Sequence, residues 1–163
     1  MRYYLGLDLS TQGLKAVFID PETGELLPGG SVNFGRDLPL FGCPDGFLPG
    51  RGLERHANPL MWAAALDLLL ARMREAGMPL GLVRAISGSG QQHGSVYLNS
   101  RLHTVAAQLN PAFDLAGQLA DTLSRKTAPI WMDASTAAEC RALAEQIGPR
   151  LRDDTGSAAT ERF

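Results

Sequence analysis

Short apolar runs separated by polar turns occupy the first part of the chain, and this is the pattern of strands that pair with their neighbours. The first two runs cover Tyr3–Leu9 and residues 14–19, and only Ser-Thr-Gln-Gly links them. So short a link predicts a hairpin. A turn at residues 20–24 and a further apolar run at residues 31–34 extend this hairpin to a predicted meander of three strands.

Longer segments with a helical pattern alternate with strands in the rest of the chain. Asn58 and Pro59 favour the start of a helix, and residues 60–76 behind them are apolar on most sides. The later segments are, in order, a buried strand at residues 83–87, a helix at 110–123 and a strand at 129–132. A last helix is predicted because Thr136-Ala137-Ala138-Glu139 has the spacing of a capping box.

The order of these elements predicts the fold class. Right-handed crossovers place the last two strands parallel to the first strand of the meander. We therefore expect an α/β fold, namely a five-stranded mixed sheet with helices on its faces and an RNase H-like or actin-like topology. A length of 163 residues suits one domain over residues 1–163, with an irregular Gly- and Pro-rich excursion at residues 35–57.

Charge and composition narrow the classes of partner. The formal net charge is -2, which gives no electrostatic attraction to nucleic acid or to an anionic membrane. No apolar run approaches the ~20 residues that cross a bilayer, and the N-terminus lacks the pattern of a signal peptide. We therefore expect no nucleic-acid partner, no membrane association and a cytoplasmic location.

The first candidate site is the turn after the first strand. Asp8 ends this strand, and Ser10, Thr11 and Gln12 follow it with hydroxyl, amide and backbone N–H groups. One carboxylate and several waters are enough to hold Mg²⁺, and the turn can hold phosphate oxygens, with Lys15 adding charge. The alternative is a plain hairpin in which Asp8 bonds its own turn. A P-loop is excluded, because its Gly-x-x-x-x-Gly-Lys pattern does not occur.

The second candidate site is the Gly-rich stretch at residues 88–94. Its glycines allow a ligand to approach the backbone closely, and Gln91, Gln92 and His93 offer neutral hydrogen-bond donors and acceptors. Such groups suit a polyhydroxyl ligand, because a buried amide without a partner is costly. The alternative is a polar loop whose histidine is satisfied within the protein.

Two further candidates follow the last predicted strand. Trp131 can lie against the apolar face of a sugar ring and donate from its indole N–H, although a core tryptophan is the alternative. Asp133 is counted among the candidate substrate-binding residues. It is either a second carboxylate near Asp8 or a cap of the next helix with a supporting role in the site, and we favour the cap.

These motifs resemble the FGGY carbohydrate kinase family, and the resemblance extends along essentially the whole chain. The matching segments are Leu5-Gly6-Leu7-Asp8-Leu9-Ser10-Thr11-Gln12, Arg36-Asp37-Leu38-Pro39, Pro59-Leu60-Met61-Trp62, Gly90-Gln91-Gln92-His93-Gly94-Ser95, Pro129-Ile130-Trp131-Met132-Asp133 and Glu161-Arg162-Phe163. The version found here is most similar to the branch that phosphorylates D-xylulose. Glycerol-specific members carry Arg-Glu where this chain has Gln92-His93, which argues against glycerol.

The resemblance implies a transferase that moves the γ-phosphoryl group of ATP to a ketose, giving xylulose 5-phosphate from D-xylulose. It implies that Asp8 helps to hold Mg²⁺ and that the Ser10-Thr11-Gln12 turn faces the phosphates. It also implies that Gln92, His93 and Arg162 bind the sugar and that Trp131 lines its pocket. ATP and Mg²⁺ are thus the expected cofactors and a ketose the expected substrate.

The same resemblance implies that part of the enzyme lies outside this sequence. In family members the catalytic-base aspartate and the domain that binds adenosine come after the position of Phe163. We therefore expect a truncated domain without significant kinase activity of its own, since positioning and acid–base help are both lost. A homodimer also remains open, because an incomplete domain exposes apolar surface.

Two other functions compete with the kinase hypothesis. An RNase H-like nuclease would use Asp8 and Asp133 to hold two metal ions ~4 Å apart, but the chain has no basic patch to bind nucleic acid. A non-catalytic sugar-binding module or pseudokinase would bind a ketose without turnover.

Overall fold

The computed structural model describes residues 2–161, and an antiparallel meander forms its N-terminal part. The meander consists of β1 (Tyr3–Leu9), β2 (Gly13–Ile19) and β3 (Leu26–Asn33). In the pairing register Leu5 lies beside Phe18, and Leu9 lies beside Leu14. Because side chains alternate between the faces of a strand, these apolar residues share one face. The predicted meander is confirmed, with β3 beginning earlier than the sequence pattern indicated.

A single long helix, α2 (Pro59–Glu75), covers the apolar face of the meander. It begins where the sequence predicts, since the Asn58 side chain accepts a hydrogen bond from the N–H of Leu60 and Pro59 occupies the first turn. The chain leaves the helix through Gly77, at φ 71°. The buried core comprises Tyr3, Leu5, Leu14, Ala16, Phe18, Val32, Phe34, Cys43, Ala57, Met61, Ala65, Leu69, Met73 and Ile130.

The fourth strand of this sheet, β5 (Val83–Gly90), pairs parallel with β1, as the crossover rule predicts. The strand order is β3-β2-β1-β5. The prediction that residues 83–87 are buried is wrong, because β5 is an edge strand and Ile86 is 63% exposed. The strand also continues through Gly90, so the glycines at 88 and 90 belong to the sheet and the turn begins at Gln91.

The prediction of five strands in one sheet is also wrong for the described residues, where the sheet has four. Of the strand expected at 129–132, only Pro129 is extended. It belongs to β6 (Ala128–Pro129), which pairs antiparallel with β4 (His56–Ala57) in a separate two-stranded sheet. Pro129 and Ile130 are buried, and the Ile130 N–H donates to the carbonyl of Arg55 in the excursion. The α/β class with a mixed sheet and helices is confirmed.

Short helices make up most of the remaining regular structure. They are α1 (Phe34–Asp37), α3 (Arg101–Ala107), α4 (Leu115–Leu119), α5 (Ala137–Ile147) and α6 (Pro149–Thr155), with 3₁₀ turns at Pro39–Phe41, Leu80–Leu82 and Ala120–Thr122. The helix predicted over 110–123 is thus divided, and α3 precedes it. At Thr136 the predicted capping box is wrong, since the hydroxyl donates to the carbonyl of Glu161. Across residues 2–161, none of the helices has the length and apolar character needed to cross a membrane.

The Gly- and Pro-rich excursion packs over the start of the meander. Its Gly35 and Gly46 leave no room for a side chain, because an added Cβ would lie 2.1 Å from the Pro44 carbonyl oxygen and 1.8 Å from the Thr11 carbonyl oxygen, respectively. The segment therefore lies directly on the turn that joins β1 and β2.

Candidate functional site

The turn between β1 and β2 is closed by its own hydrogen bonds. Both the N–H and the hydroxyl of Ser10 donate to the Gly13 carbonyl, over 2.9 and 3.0 Å. Gly13 is required there, because a Cβ would lie 2.4 Å from the Val32 carbonyl oxygen. The Ser10 hydroxyl is thus used inside the turn, and the predicted phosphate contacts of the turn depend on Thr11, Gln12 and backbone N–H groups.

Asp8 lies near the end of β1 and is exposed to solvent. Its neighbours across the sheet are Lys15 on β2 and Ser89 on β5. The Ser89 hydroxyl donates to one Asp8 carboxylate oxygen over 2.6 Å. This arrangement fixes the carboxylate by one hydrogen bond while its position leaves it open to solvent and to a soluble ligand.

The polar segment that follows β5 lies beside the end of β1. The Gln91 N–H donates to the Leu9 carbonyl over 3.1 Å, and the Ser95 N–H donates to the Pro129 carbonyl over 3.1 Å. Between these anchors His93 has φ 59°, the left-handed region that histidine enters more readily than most residues. The imidazole is therefore presented by an unusual backbone conformation that is held at both ends.

Four side chains from two segments line a cavity of about 260 Å³, namely those of Gln91, Gln92, His93 and Trp131. Both polar atoms of the Gln91 carboxamide are buried and without a hydrogen-bond partner among the described residues. A buried amide of this kind costs free energy unless water or a ligand supplies a donor and an acceptor. The cavity is therefore suited to a small polar ligand that carries hydroxyl groups.

Trp131 connects this cavity with the β1–β2 turn. The preceding Ile130 is fully buried, whereas Trp131 is 39% exposed and so is not a core residue. Its indole N–H donates to the Thr11 hydroxyl oxygen over 2.9 Å. Two residues that the sequence assigned to separate candidate sites are thus in direct contact.

Asp133 points into the protein, where its side chain is fully buried. One carboxylate oxygen accepts from the N–H and the hydroxyl of Ser135 over 3.0 and 2.6 Å, and the other accepts from the Arg55 N–H over 2.7 Å. Burial by itself raises the pKa of Asp133, but the hydrogen bonds from Ser135 and Arg55 outweigh it, so the pKa is lowered. Asp133 stays ionised and its oxygens are occupied by protein groups.

His56 also takes part in this buried network. Its Nε2 lies 3.3 Å from the Asp133 carboxylate, and its Nδ1 lies 2.8 Å from the Thr127 hydroxyl. The chain of contacts joins the excursion to the segment that carries Trp131. By contrast, His103 lies in α3 and is exposed.

The structure brings most of the predicted site residues to one end of the sheet. Thr11 contacts Trp131, which shares the cavity with Gln92 and His93, and Asp8 is joined to β5 through Ser89. Asp133 follows Trp131 closely in the chain but faces away from solvent. Arg162 lies outside the described residues. Within residues 2–161 no group of three or more His, Cys, Asp or Glu side chains could hold a metal ion.

Two residues of the site, Ser89 and Gly46, are missing from the sequence-based prediction, and the particular position of Gln91 could not be predicted. Ser89 could have been found by aligning β5 in parallel with β1, which places it opposite Asp8. Gln91 was recognised as polar but not separated from its neighbours, because only the structure shows its amide to be buried without a partner. Nothing in the sequence indicates that Gly46 packs on Thr11, since the excursion has no regular pattern.

Curated relatives match this chain along nearly its whole length. Xylulose kinase of Mus musculus is 42% identical over 165 residues, which cover 99% of this chain and 30% of the mouse protein. The chain is homologous to the xylulose kinases. Xylulose kinase of Saccharomyces cerevisiae is likewise 42% identical over 167 residues, covering 99% of this chain and 27% of the yeast protein. The chain thus spans about 30% of the length of the mouse xylulose kinase that it matches.

Solved structures share the fold. The crystal structure described as a xyloylose kinase from Brucella ovis superposes with a TM-score of 0.67 at 22% identity, covering 99% of this chain and 27% of that one. A gluconate kinase from Lactobacillus acidophilus gives 0.63 at 17% identity, covering 91% and 23%. The chain therefore shares the fold of the matching part of these two proteins. No family model matches the chain.

Proposed function

We propose that this chain is the part of an FGGY-type, ATP-dependent sugar kinase that holds the ketose and the transferred phosphate, with D-xylulose as the sugar and xylulose 5-phosphate as the product. The 42% identity to xylulose kinases along nearly the whole chain carries this proposal. The site supports it, because two polar segments predicted to bind sugar and phosphate meet at one end of the sheet.

The cavity beside Trp131 is the proposed ketose site. Gln92 and His93 supply neutral donors and acceptors, which match hydroxyl groups without selecting a charged ligand. The partly exposed indole of Trp131 offers an apolar surface to the carbon chain of the sugar. Arg162 is the further sugar-binding residue that the family resemblance implies.

The β1–β2 turn is the proposed phosphate site, with Mg²⁺ at Asp8. The donor set fits this ion, because Mg²⁺ keeps most of its waters and needs only one or two carboxylates, and Asp8 is exposed with its position fixed by Ser89. When bound, Mg²⁺ supplies positive charge to the phosphate oxygens of ATP. Thr11 and Gln12 add polar groups, and Lys15 adds a cation beside Asp8.

We assign Asp133 a supporting role and not a direct contact with the ligand. All of its acceptor capacity faces Ser135, Arg55 and His56, so it fixes the segment that carries Trp131. The same observation argues against the nuclease hypothesis. A carboxylate that is buried and occupied in this way has no free oxygen to share a metal ion with Asp8.

Phosphoryl transfer is proposed for the protein that combines this chain with the remaining part found in its relatives, and we propose a cytoplasmic location for it. The family resemblance implies that the base and the adenosine site belong to that remaining part. Alone, the 163 residues are expected to bind sugar without turnover. ADP release by the isolated chain above the background rate would contradict this expectation.

Titration of the chain with candidate sugars tests the proposal. D-xylulose is expected to perturb the amide signals of residues 91–94 and the indole signal of Trp131 more strongly than L-ribulose, glycerol or gluconate does. His93→Asn keeps the left-handed backbone accessible but removes the imidazole, so it should weaken D-xylulose binding about tenfold, the usual effect of losing one hydrogen bond to a buried polar ligand.

His103→Asn is the matched control, because His103 is exposed on α3 and lines no part of the cavity. It should leave D-xylulose binding unchanged. Equal effects of both histidine substitutions would show that the cavity is not the sugar site. Binding of D-xylulose without phosphorylation by the complete protein would favour a sugar-binding module or pseudokinase.

A further inference from the structure

Three hydrogen bonds and the three chain segments that they join form a closed ring beside the candidate sugar cavity. The ring starts at Leu9, the last residue of β1, whose carbonyl accepts from the N–H of Gln91. It continues along the chain to Ser95, whose N–H donates to the carbonyl of Pro129. The segment that carries Gln92 and His93 is therefore fixed at its two ends, one on each side of the cavity.

Trp131 closes the ring. It follows Pro129 by two residues, and its indole N–H donates to Thr11, which follows Leu9 by two residues. The other two links are backbone hydrogen bonds, which many residue types can make. The link between Trp131 and Thr11 alone joins two side chains, so it is the one that depends on residue type.

The Trp131–Thr11 bond is not needed to satisfy a buried donor. Trp131 is 39% exposed and Thr11 is only partly buried, so water could solvate the indole N–H. What the bond adds is a fixed position for the cavity wall relative to the β1–β2 turn. A site that is ordered before the ligand binds has a higher affinity, because binding then costs less conformational entropy.

We infer that Trp131 and Thr11 are a positioning pair that couples the ketose cavity to the phosphate turn, a role that rests on the function proposed above. Thr11 uses a lone pair of its hydroxyl oxygen to accept from Trp131, which directs the hydroxyl proton away from the indole. That proton is then available to an oxygen acceptor at the turn. The Thr11 side chain thus fixes the indole of Trp131 on the cavity side and directs its own hydroxyl proton to the phosphate turn.

Variants at Thr11 test this inference without touching the cavity lining. Thr11→Val keeps the shape but removes the oxygen, whereas Thr11→Ser keeps the oxygen. Thr104→Val makes the same chemical change at an exposed position on α3 and serves as the control. The chain contains two tryptophans, so a ¹⁵N-labelled sample gives two indole N–H signals, and the Trp62 signal is an internal reference.

Thr11→Val should shift the Trp131 indole signal and also the amide signals of residues 91–95, because the ring is opened. D-xylulose affinity should fall about three- to tenfold, the effect of losing one neutral hydrogen bond, and Thr11→Ser should restore most of it. Thr104→Val should change neither. If Thr11→Val shifts only the amide signals of residues 10–13, the inference is wrong.

The outcomes separate this inference from the proposed function. If D-xylulose binds the unaltered chain and Thr11→Val equally well, the kinase assignment stands and the coupling is wrong. If D-xylulose does not bind the unaltered chain, the assignment of the cavity fails. The coupling is then judged on the ligand-free spectra, where an unchanged segment 91–95 in Thr11→Val rejects it.

Discussion

Gly46 and Gly52 have similar backbone conformations but different surroundings. Both have positive φ, 89° and 57°, which a residue with a side chain adopts only at a cost. Space around Gly52 is open, whereas a Cβ on Gly46 would lie 1.8 Å from the Thr11 carbonyl oxygen. The requirement for glycine is thus conformational at one position and both conformational and steric at the other.

Alanine at the two positions should therefore have unequal effects. We expect Gly52→Ala to lower the free energy of unfolding by about 1–2 kcal/mol, the cost of the left-handed backbone. Gly46→Ala should lower it by about 3 kcal/mol or more, because the overlap with Thr11 adds to that cost. Urea unfolding of both variants measures the difference, and equal values would show that the excursion does not pack on the turn.

Single residues were the scale at which the sequence was most informative about chemistry. Asp8, Thr11, His93 and Trp131 were each identified from residue type and local context. Their partners were not, because the link from Trp131 to Thr11 spans most of the chain and leaves no local pattern. Residue type predicts what a group can do, and only tertiary contacts decide which group it meets.

At the scale of elements, Asp37 ties three of them together. This carboxylate at the end of α1 accepts from the Asn33 N–H on β3 and from the guanidinium of Arg72 on α2, over 2.8 and 2.9 Å. The Arg36 guanidinium also donates one hydrogen bond to each carboxylate oxygen of Asp37. Hydrogen bonds from Arg36 first, and then from Arg72, hold the pKa of the Asp37 carboxyl well below its usual range.

Asp37→Asn should lower the free energy of unfolding by about 1.5–3 kcal/mol near neutral pH, the range for hydrogen bonds to a charged group. Because the folded pKa is depressed, this contribution is present above the pKa of the unfolded chain and is lost as the pH falls below it. The gap between the two proteins should narrow by about 1 kcal/mol by pH 3, since unfolded Asp titrates near ~3.9.

Urea unfolding at several pH values measures this gap, with Asp153→Asn on the exposed surface of α6 as the control. The control should show little difference from the unaltered chain at any pH. A gap for Asp37→Asn that stays constant down to pH 3 would contradict the linkage of its ionisation to folding.

The predictability of the elements followed the strength of their local signals. The long helix α2 was predicted almost to its ends, because Asn58, Pro59 and Gly77 mark its boundaries. The run at 129–132 is apolar and β-prone, which fits a strand or a buried segment equally well. Packing against the excursion buries Pro129 and Ile130, and only β6 is extended.

At the scale of the whole molecule, the notable feature is that β5 lies at the edge of the sheet and exposes apolar side chains. Ile86 lies beside Leu5 in the parallel register and is 63% exposed, although Leu5 is buried. Tyr4 on the opposite face is 45% exposed. An edge strand with apolar neighbours is prone to pair with another chain.

We therefore expect the isolated chain to self-associate through β5, which is the homodimer that the sequence left open. Ile86→Lys should abolish concentration-dependent association in sedimentation velocity, because a charge on an edge strand blocks strand pairing. Leu40→Lys is the matched control, since Leu40 is 98% exposed but lies outside the sheet. Association that survives Ile86→Lys would place the contact elsewhere.

The sequence by itself determined the meander, the helix α2, the parallel pairing of β5 with β1 and the identity of the groups able to bind sugar and phosphate. These features depend on periodicity, caps and residue type, which are local. The tertiary structure decided that β5 is exposed, that the fifth strand is absent from the main sheet of the described residues, and that Trp131 binds Thr11. Such features depend on contacts between distant segments, which compete with local preference and leave no periodic trace in the sequence.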